Sequence, residues 1–279
     1  MNHHIAFVGG GNMAHALATR LAAAGAFDLV VAEPLAEQRA RFEPPITTTA
    51  DNVAAVRDAA AVVLAVKPQV LETVVREIGA AVREEQLVVS IAAGVPLASI
   101  EHWLGGARSV VRCMPNTPAL VGAGISGLVA NAAVTPAERR LAEDVLGAAG
   151  DVVWFESDAD LDIVTALSGS GPAYFFAVIE ALANAGARLG LAPETARRLV
   201  VATALGAARM AEDDDPRELR RRVTSPGGTT ERALSILAQG SLPELLDAAV
   251  EGACQRSREL ACEFAGDSGQ PPDGQQQGA

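Results

Sequence analysis

Two short stretches carry residue types that can act together on a small ligand. The first is Val223-Thr224-Ser225-Pro226-Gly227-Gly228-Thr229-Thr230-Glu231, which leads into a helical pattern running from Thr229 to Leu237. Paired glycines cost backbone entropy and add nothing to a helix. What they permit is close approach of the backbone to something else. The unpaired N–H groups at the start of the following helix attract an anion, and the hydroxyls of Ser225, Thr229 and Thr230 lie beside them. An ordinary Gly-rich turn between helices has the same composition, and the other end of the chain separates the two readings.

There, Gly9-x-Gly11-x-x-Ala14 follows the apolar run Ile5-Ala6-Phe7-Val8 and opens a helical pattern that reaches about Ala24, with Gly25 as its stop. This placement is the dinucleotide fingerprint. The first glycine makes the turn, the second lets the backbone reach a pyrophosphate, and the small third residue lets helix and strand pack closely. Glu33 ends the second strand, Leu29-Val30-Val31-Ala32. A carboxylate there accepts from the adenosine ribose hydroxyls, favours NAD and repels a 2′-phosphate. Alternatively, Glu33 points to solvent at a strand end. Arg39 and Arg41 are near enough in sequence to rescue NADP binding.

Basic residues are almost all arginine: Lys67 is the one lysine in the chain. Lys67-Pro68 follows the apolar strand Ala61–Val66, at the end that faces the ligand crevice in a doubly wound sheet. Ile91, Ala92, Ala93 and Gly94 end the strand Leu87–Ile91 and leave room for a flat ring. Arg112-Cys113-Met114-Pro115-Asn116-Thr117-Pro118 follows another strand. Asn116 and Thr117 serve either the loop backbone or a ligand, and Cys113 reads as a small core residue.

The elements that must position these groups follow from the patterning. Strands are expected at 5–8, 29–32, 47–49, 61–66, 87–91, 109–111, 125–129 and 152–155. Helices are expected at 12–24, 35–42, 69–83 and 96–104. That alternation is the signature of a doubly wound, Rossmann-like parallel sheet. From Asp158 onward the pattern is helical, broken near 190–193 and 213–216. This gives a dinucleotide-binding domain over 1–157, an all-α domain over 158–265 and a disordered Gly/Gln/Pro/Ser tail over 266–279. The apolar run 163–179 contains Ser168-Gly169-Ser170-Gly171-Pro172 and reads as a buried helix, not a membrane span.

With 279 residues there is enough chain for two modest domains. The net charge of −12 offers no basic stripe for nucleic acid. The three cysteines form no CxxC pair, so a reducing, cytoplasmic compartment and no metal cluster are expected. The N-terminus has neither the basic region nor the cleavage pattern of a signal peptide. The four histidines are scattered without ligand spacing, so no metal site is expected.

Taken together, the segments FVGGGNMA (7–14), LAVKPQ (64–69), SIAAGVPLASIE (90–101), RCMPNTPALVGAG (112–124), ALSGSGPAYFF (166–176) and VTSPGGTTERAL (223–234) resemble the pyrroline-5-carboxylate reductases. They occur in the family's order, and the resemblance covers the chain from about residue 5 to 265. The resemblance implies reduction of 1-pyrroline-5-carboxylate to L-proline by hydride transfer from NADP(H) or NAD(H), the last step of proline biosynthesis. It also implies a homodimer with intertwined helical domains, in many members assembled into a ring of dimers such as a decamer. The family's cofactor contacts carry over to Gly9, Gly10, Gly11, Asn12, Met13, Ala14, Asn52, Ala65, Val66, Lys67, Pro68, Ile91, Ala92 and Ala93. Its substrate contacts carry over to Ser225, Gly228, Thr229 and Thr230.

For that reaction the N–H groups around Gly228–Thr230 suit a carboxylate, and the Thr230 hydroxyl suits the imine nitrogen. Two other readings share much of this pattern: a reductase of a different cyclic imine, and a non-catalytic NAD(P)-binding sensor. A 3-hydroxy-acid dehydrogenase needs a lysine on the interdomain helix and finds none there. Ser168–Pro172 serves either close helix packing or approach to the nicotinamide. Tyr174, Phe175 and Phe176 read as dimer core.

Overall fold

The computed structural model describes residues 3–106 and 108–265, so the tail expected over 266–279 lies outside the described residues. By its contacts the chain divides into two compact units. One contains the residues up to Gly169 together with those from Ala253 on, and the other is Ser170–Gly252.

The first unit is built on an eight-stranded sheet: β1 (His3–Val8), β2 (Phe27–Ala32), β3 (Thr47–Thr49), β4 (Ala61–Leu64), β5 (Leu87–Ser90), β6 (Val110–Met114), β7 (Gly124–Ala130) and β8 (Gly150–Trp154). Their order is β3-β2-β1-β4-β5-β6-β7-β8. The helices interleaved with them are α1 (Asn12–Ala24), α2 (Ala36–Arg39), α3 (Asn52–Val56), α4 (Pro68–Ile78), α5 (Leu97–Leu104) and α6 (Pro136–Gly147). Strands β1 to β6 are mutually parallel. Chain order reverses between β1 and β4, and ligands bind at such a switch point, outside the carboxyl ends of the strands.

Burial on both faces explains the continuous apolar runs. Phe7, Ala61 and Val63 face one core cluster with Leu17 and Leu21 of α1, whereas Val8, Val62 and Leu64 face another with Leu71, Val75 and Ile100. Residues of one strand thus alternate between two cores, and every residue of β4 and β5 is buried.

The sheet departs from the all-parallel expectation at one edge. β7 runs antiparallel to β6, with Arg112 opposite Val129. The connection from Met114 to Gly124 holds only a short 3₁₀ turn, Thr117–Val121, which is too brief for a crossover, so the chain doubles back. β8 then lies parallel to β7 after α6. Two helices were not expected, α3 and α6. The helix expected over 35–42 is the single turn of α2, and Phe42 is buried in the core. β4 stops at Leu64, which leaves Ala65 and Val66 in the turn beyond it.

After β8 comes one long, broken helix: α7 (Asp158–Val164), a π-turn over Thr165–Gly169, and α8 (Gly171–Arg188). The Thr165 hydroxyl donates to the Leu161 carbonyl at 2.6 Å and the Ser168 hydroxyl to the Val164 carbonyl at 3.1 Å. These side chains satisfy carbonyls around the widened turn. A Cβ at Gly169 would stand 2.4 Å from the Met114 methyl, so that side chain would have to turn aside.

The second unit holds α8, α9 (Pro193–Met210), α10 (Pro216–Arg222), α11 (Thr229–Gln239) and the first part of α12 (Leu242–Ala265). Gly186 of α8 admits Ala196 of α9, whose Cβ would be 3.2 Å from a Cβ at 186. Few of these residues are buried. Phe175 is 70% exposed, Phe176 63%, and Leu182, Leu199 and Leu205 are exposed as well. The expectation of a buried helix over 163–179 is therefore not met within one chain. Asp158–Arg188 is long and apolar enough to cross a membrane by length and composition alone. Glu180 and Asn184 are exposed and line an open cleft with Phe176 and Arg197.

Asp158 anchors the start of α7. One of its oxygens accepts from the Arg112 guanidinium at 2.9 Å, and the other from the Leu97 N–H at the head of α5 at 2.8 Å. The Arg112 side chain is only 4% exposed. Replacing Asp158 with Ala leaves that guanidinium buried and unpaired, which costs about 3 kcal/mol. The expected outcome is a clear fall in denaturation midpoint by chemical unfolding, and an unchanged midpoint contradicts the anchoring role.

Candidate functional site

Gly9 makes the turn from β1 toward α1 with φ +103°, which L side chains rarely adopt. Its N–H donates to the Ala32 carbonyl at 2.8 Å. A Cβ at Gly9 would stand 2.7 Å from the Ala65 carbonyl oxygen and 2.9 Å from a Val66 methyl. The turn is therefore pressed against the residues that follow β4. Ala65 itself donates to the Val8 carbonyl at 2.8 Å, and Ile91 to the Leu64 carbonyl at 3.1 Å. The ends of β1, β4 and β5 are thus tied in a row, which brings Gly9, Ala65 and Ile91 to one edge of the sheet.

Gly11 is the N-cap of α1, extended and without a side-chain cap, and no acidic residue occupies the first turn. A Cβ at Gly11 would meet nothing within 4 Å. The leading N–H groups of α1, from Asn12, Met13 and Ala14, have no acceptor within the helix. Open space before uncapped N–H groups, beside the sterically fixed turn at Gly9, fits a pyrophosphate. Ala14 is buried between helix and sheet, as the fingerprint requires.

Lys67 is the N-cap of α4 and is exposed, with Pro68 in the first turn. Ala92 is buried, and Ile91 and Ala93 are half-buried. Gly94, at φ +76°, takes the side chains of Leu260 and Phe264 against it, so the end of α12 backs this turn. The Ser257 hydroxyl holds that helix by donating to Asp162 at 2.7 Å in a buried position. Asn52 begins α3 and donates to Glu77 at 3.2 Å.

Glu33 turns toward the glycine loop. One oxygen accepts from the Gly10 N–H at 2.8 Å and the other from the Leu35 N–H at 3.0 Å. Each oxygen keeps a second acceptor position, which a ribose hydroxyl can use. Arg39 donates to the backbone carbonyls of Glu33 and Pro34 and braces the turn after β2.

Asn116 is a structural tie. It is buried, accepts from the Ile125 N–H at 3.0 Å and donates to the Ser168 carbonyl at 3.3 Å. Its amide joins the loop after β6 to β7 and to the π-turn. Cys113 is buried, and burial pushes its thiol up to about 12 despite a hydrogen bond with Ser126, so it is no nucleophile at neutral pH.

In the second unit, Ser225–Gly228 is a tight turn. The Gly228 N–H donates to the Ser225 carbonyl at 3.0 Å, Pro226 holds the second position and Gly227 the third at φ +69°. This is a type II turn, which requires a positive φ at the third position. Gly228 is then the N-cap of α11, with no side-chain cap. A Cβ at Gly228 would press on the Ser225 carbonyl at 3.0 Å. Glu231 folds back, and its carboxylate accepts from the Gly227 N–H at 2.8 Å. Among the described residues the Thr230 hydroxyl has no hydrogen-bond partner. Ser225, Gly228, Thr229 and Thr230 thus gather at one helix head. The direction of Glu231 could not be read from sequence.

A sheet with this switch point and glycine turn, followed by helices that carry a polar anion-suited turn, defines an NAD(P)-dependent oxidoreductase. Residues 4–94 match the family model described as NADP oxidoreductase coenzyme F420-dependent, and residues 158–260 match pyrroline-5-carboxylate reductase dimerisation. A pyrroline-5-carboxylate reductase of Pseudomonas aeruginosa is 51% identical over 263 residues, covering 92% of this chain and 96% of that protein. The solved structure of a pyrroline-5-carboxylate reductase from Coxiella burnetii superposes with a TM-score of 0.89 at 42% identity, covering 94% of this chain and 99% of that one. A Plasmodium falciparum pyrroline carboxylate reductase with NADP bound gives 0.84 at 30% identity, covering 93% and 98%. The chain belongs to the pyrroline-5-carboxylate reductase family.

Gly9→Ala tests the cradle. The added methyl cannot coexist with the Ala65 carbonyl at 2.7 Å. The expected outcome is at least about a tenfold weaker Kd for NAD(P)H by fluorescence titration, because the turn must shift. Retention of wild-type affinity would contradict it.

Proposed function

We propose that this protein reduces 1-pyrroline-5-carboxylate to L-proline with NADPH or NADH. The observation that carries the reading is the conjunction of two sites on a chain of this family. One is a glycine turn suited to a dinucleotide pyrophosphate, and the other is an uncapped helix head flanked by Ser225, Thr229 and Thr230.

When bound, the reduced nicotinamide supplies a hydride to the C=N carbon. The chain's own residues hold and polarise the imine acid. The N–H groups at the head of α11 receive its carboxylate, and a helix N-terminus favours an anion there by about 0.3–2 kcal/mol. Glu231 spends its charge on Gly227 in this arrangement, which leaves the leading N–H groups to the ligand. The Thr230 hydroxyl donates to the neutral imine nitrogen or accepts from its protonated form. Threonine is too weak an acid for full proton donation, so its part is polarisation and positioning. Gly9 to Ala14, Glu33, Asn52, Ala65 to Pro68 and Ile91 to Ala93 bind the cofactor in this reading.

Residues 158–265 serve substrate binding and association. A homodimer, able to assemble further into a decamer, is the proposed state. Its support is the exposed apolar surface of α8 and α9, which no single chain covers. The free thiols of Cys113, Cys254 and Cys262 support a cytoplasmic location. Sedimentation is expected to give a dimer or larger, and a folded, active monomer contradicts that.

The decisive test is NAD(P)H consumption with pyrroline-5-carboxylate. Thr230→Ala is expected to lose about 2.7–4 kcal/mol of transition-state stabilisation, seen mainly in kcat, with little change in NAD(P)H affinity. Thr230→Ser keeps a hydroxyl and loses far less. Near wild-type turnover in Thr230→Ala refutes the role. Cofactor binding without any turnover in the wild-type protein points instead to a sensor.

A further inference from the structure

The glycine turn has a cationic neighbour that sequence spacing alone does not distinguish from Arg39. Arg41 lies between α2 and the core residue Phe42. Its guanidinium donates to the Asn12 side-chain oxygen at 3.0 Å and to Gln38 at 2.7 Å. Both partners are neutral amides. Among the described residues Arg41 makes no ion pair with a carboxylate, so its charge is held in place without being neutralised.

Asn12 is the first residue of α1, so the guanidinium reaches a residue of the pyrophosphate cradle itself. The backbone of Arg41 is pinned as well. Its carbonyl lies 3.2 Å from His15 Nε2, and the His15 ring tilts against Phe42 with centroids 5.3 Å apart. Phe42 is buried, and its ring is 3.2 Å from where a Cβ on Gly10 would be. Arg39 differs, because its guanidinium is turned onto backbone carbonyls at the end of β2. Glu33, among the described residues the one carboxylate that hydrogen-bonds the glycine loop, is drawn onto two backbone N–H groups.

We infer that Arg41 is the residue of this chain that recognises the 2′-phosphate of NADP(H), with Asn12 and Gln38 holding its guanidinium ready. The Glu33 carboxylate, held on the Gly10 and Leu35 N–H groups, opposes a 2′-phosphate, and the Arg41 charge offsets that repulsion. A fixed guanidinium with unused N–H donors forms charge-assisted bonds to a phosphate, and little ordering is required of it on binding. This inference rests on the dinucleotide reading given above.

The test is calorimetric binding of adenosine 2′,5′-bisphosphate and of 5′-AMP to the full-length protein, with NADPH- and NADH-linked kinetics alongside. Arg41→Ala is expected to raise the Kd ratio of bisphosphate to 5′-AMP roughly ten- to a hundredfold. Arg41→Lys restores a point charge without the fork and recovers part of that loss. Gln38→Ala, which frees the guanidinium but keeps its charge, shifts the ratio a few-fold in the same direction. Should Arg41→Ala unfold, Arg41→Lys and Gln38→Ala still carry the test through the same ratio. An unchanged ratio in folded variants overturns the role of Arg41, even where the wild type reduces pyrroline-5-carboxylate. A wild type that binds neither nucleotide overturns the dinucleotide reading and this inference with it.

Discussion

The backbone contact between the turn at Gly9 and the chain beyond β4 is the constraint on which the first unit's site depends. With the Ala65 carbonyl 2.7 Å from where a side chain would begin, only hydrogen fits at that α-carbon. That contact closes β1 onto β4 at the point where chain order reverses, and it fixes where α1 can start. Close packing of Ala14, the open front of Gly11 and the reach of Glu33 back to Gly10 all follow from it. The turn is therefore rigid for steric reasons before any ligand arrives, which is what preorganised anion binding needs.

The helical unit is governed by the opposite circumstance. Its helices pack through small residues, as at Gly186 and Ala196, and leave their larger apolar side chains outward. A lone copy would expose Phe175, Phe176 and a row of leucines to water, at roughly 25 cal/mol for each Å² of apolar surface. Sequence composition alone reads such a run as core. In the structure that run is not buried within one chain, and residues 158–260 match the dimerisation family model.

Much of this was legible because it is local. Strand positions, the stop at Gly25 and the head of α11 at Thr229 depend on neighbours in sequence. α6 was missed although its signal is local too, since its Thr135-Pro136-x-Glu138 start is a complete capping box. What sequence did not disclose is long-range. β7 runs backward because its connection is too short, Asn116 is spent on Ile125 and Ser168, and the α12 hydroxyl of Ser257 seeks Asp162. No periodicity encodes such pairings. Among the site residues, Glu33 and Arg41 were visible as charges, but which groups they face was decided by Gly10, Asn12 and Gln38.

The state of Cys113 has a chemical corollary. Its sulfur is buried in the strand that leads to the Asn116 loop and stays protonated at any physiological pH. Peroxide and electrophiles attack thiolates, so this strand offers them nothing, while Cys262 stands in the open. Mild oxidants or maleimides would thus mark Cys262 on α12, between the Leu260 and Phe264 that back the Gly94 turn, and spare the sulfur held within the sheet.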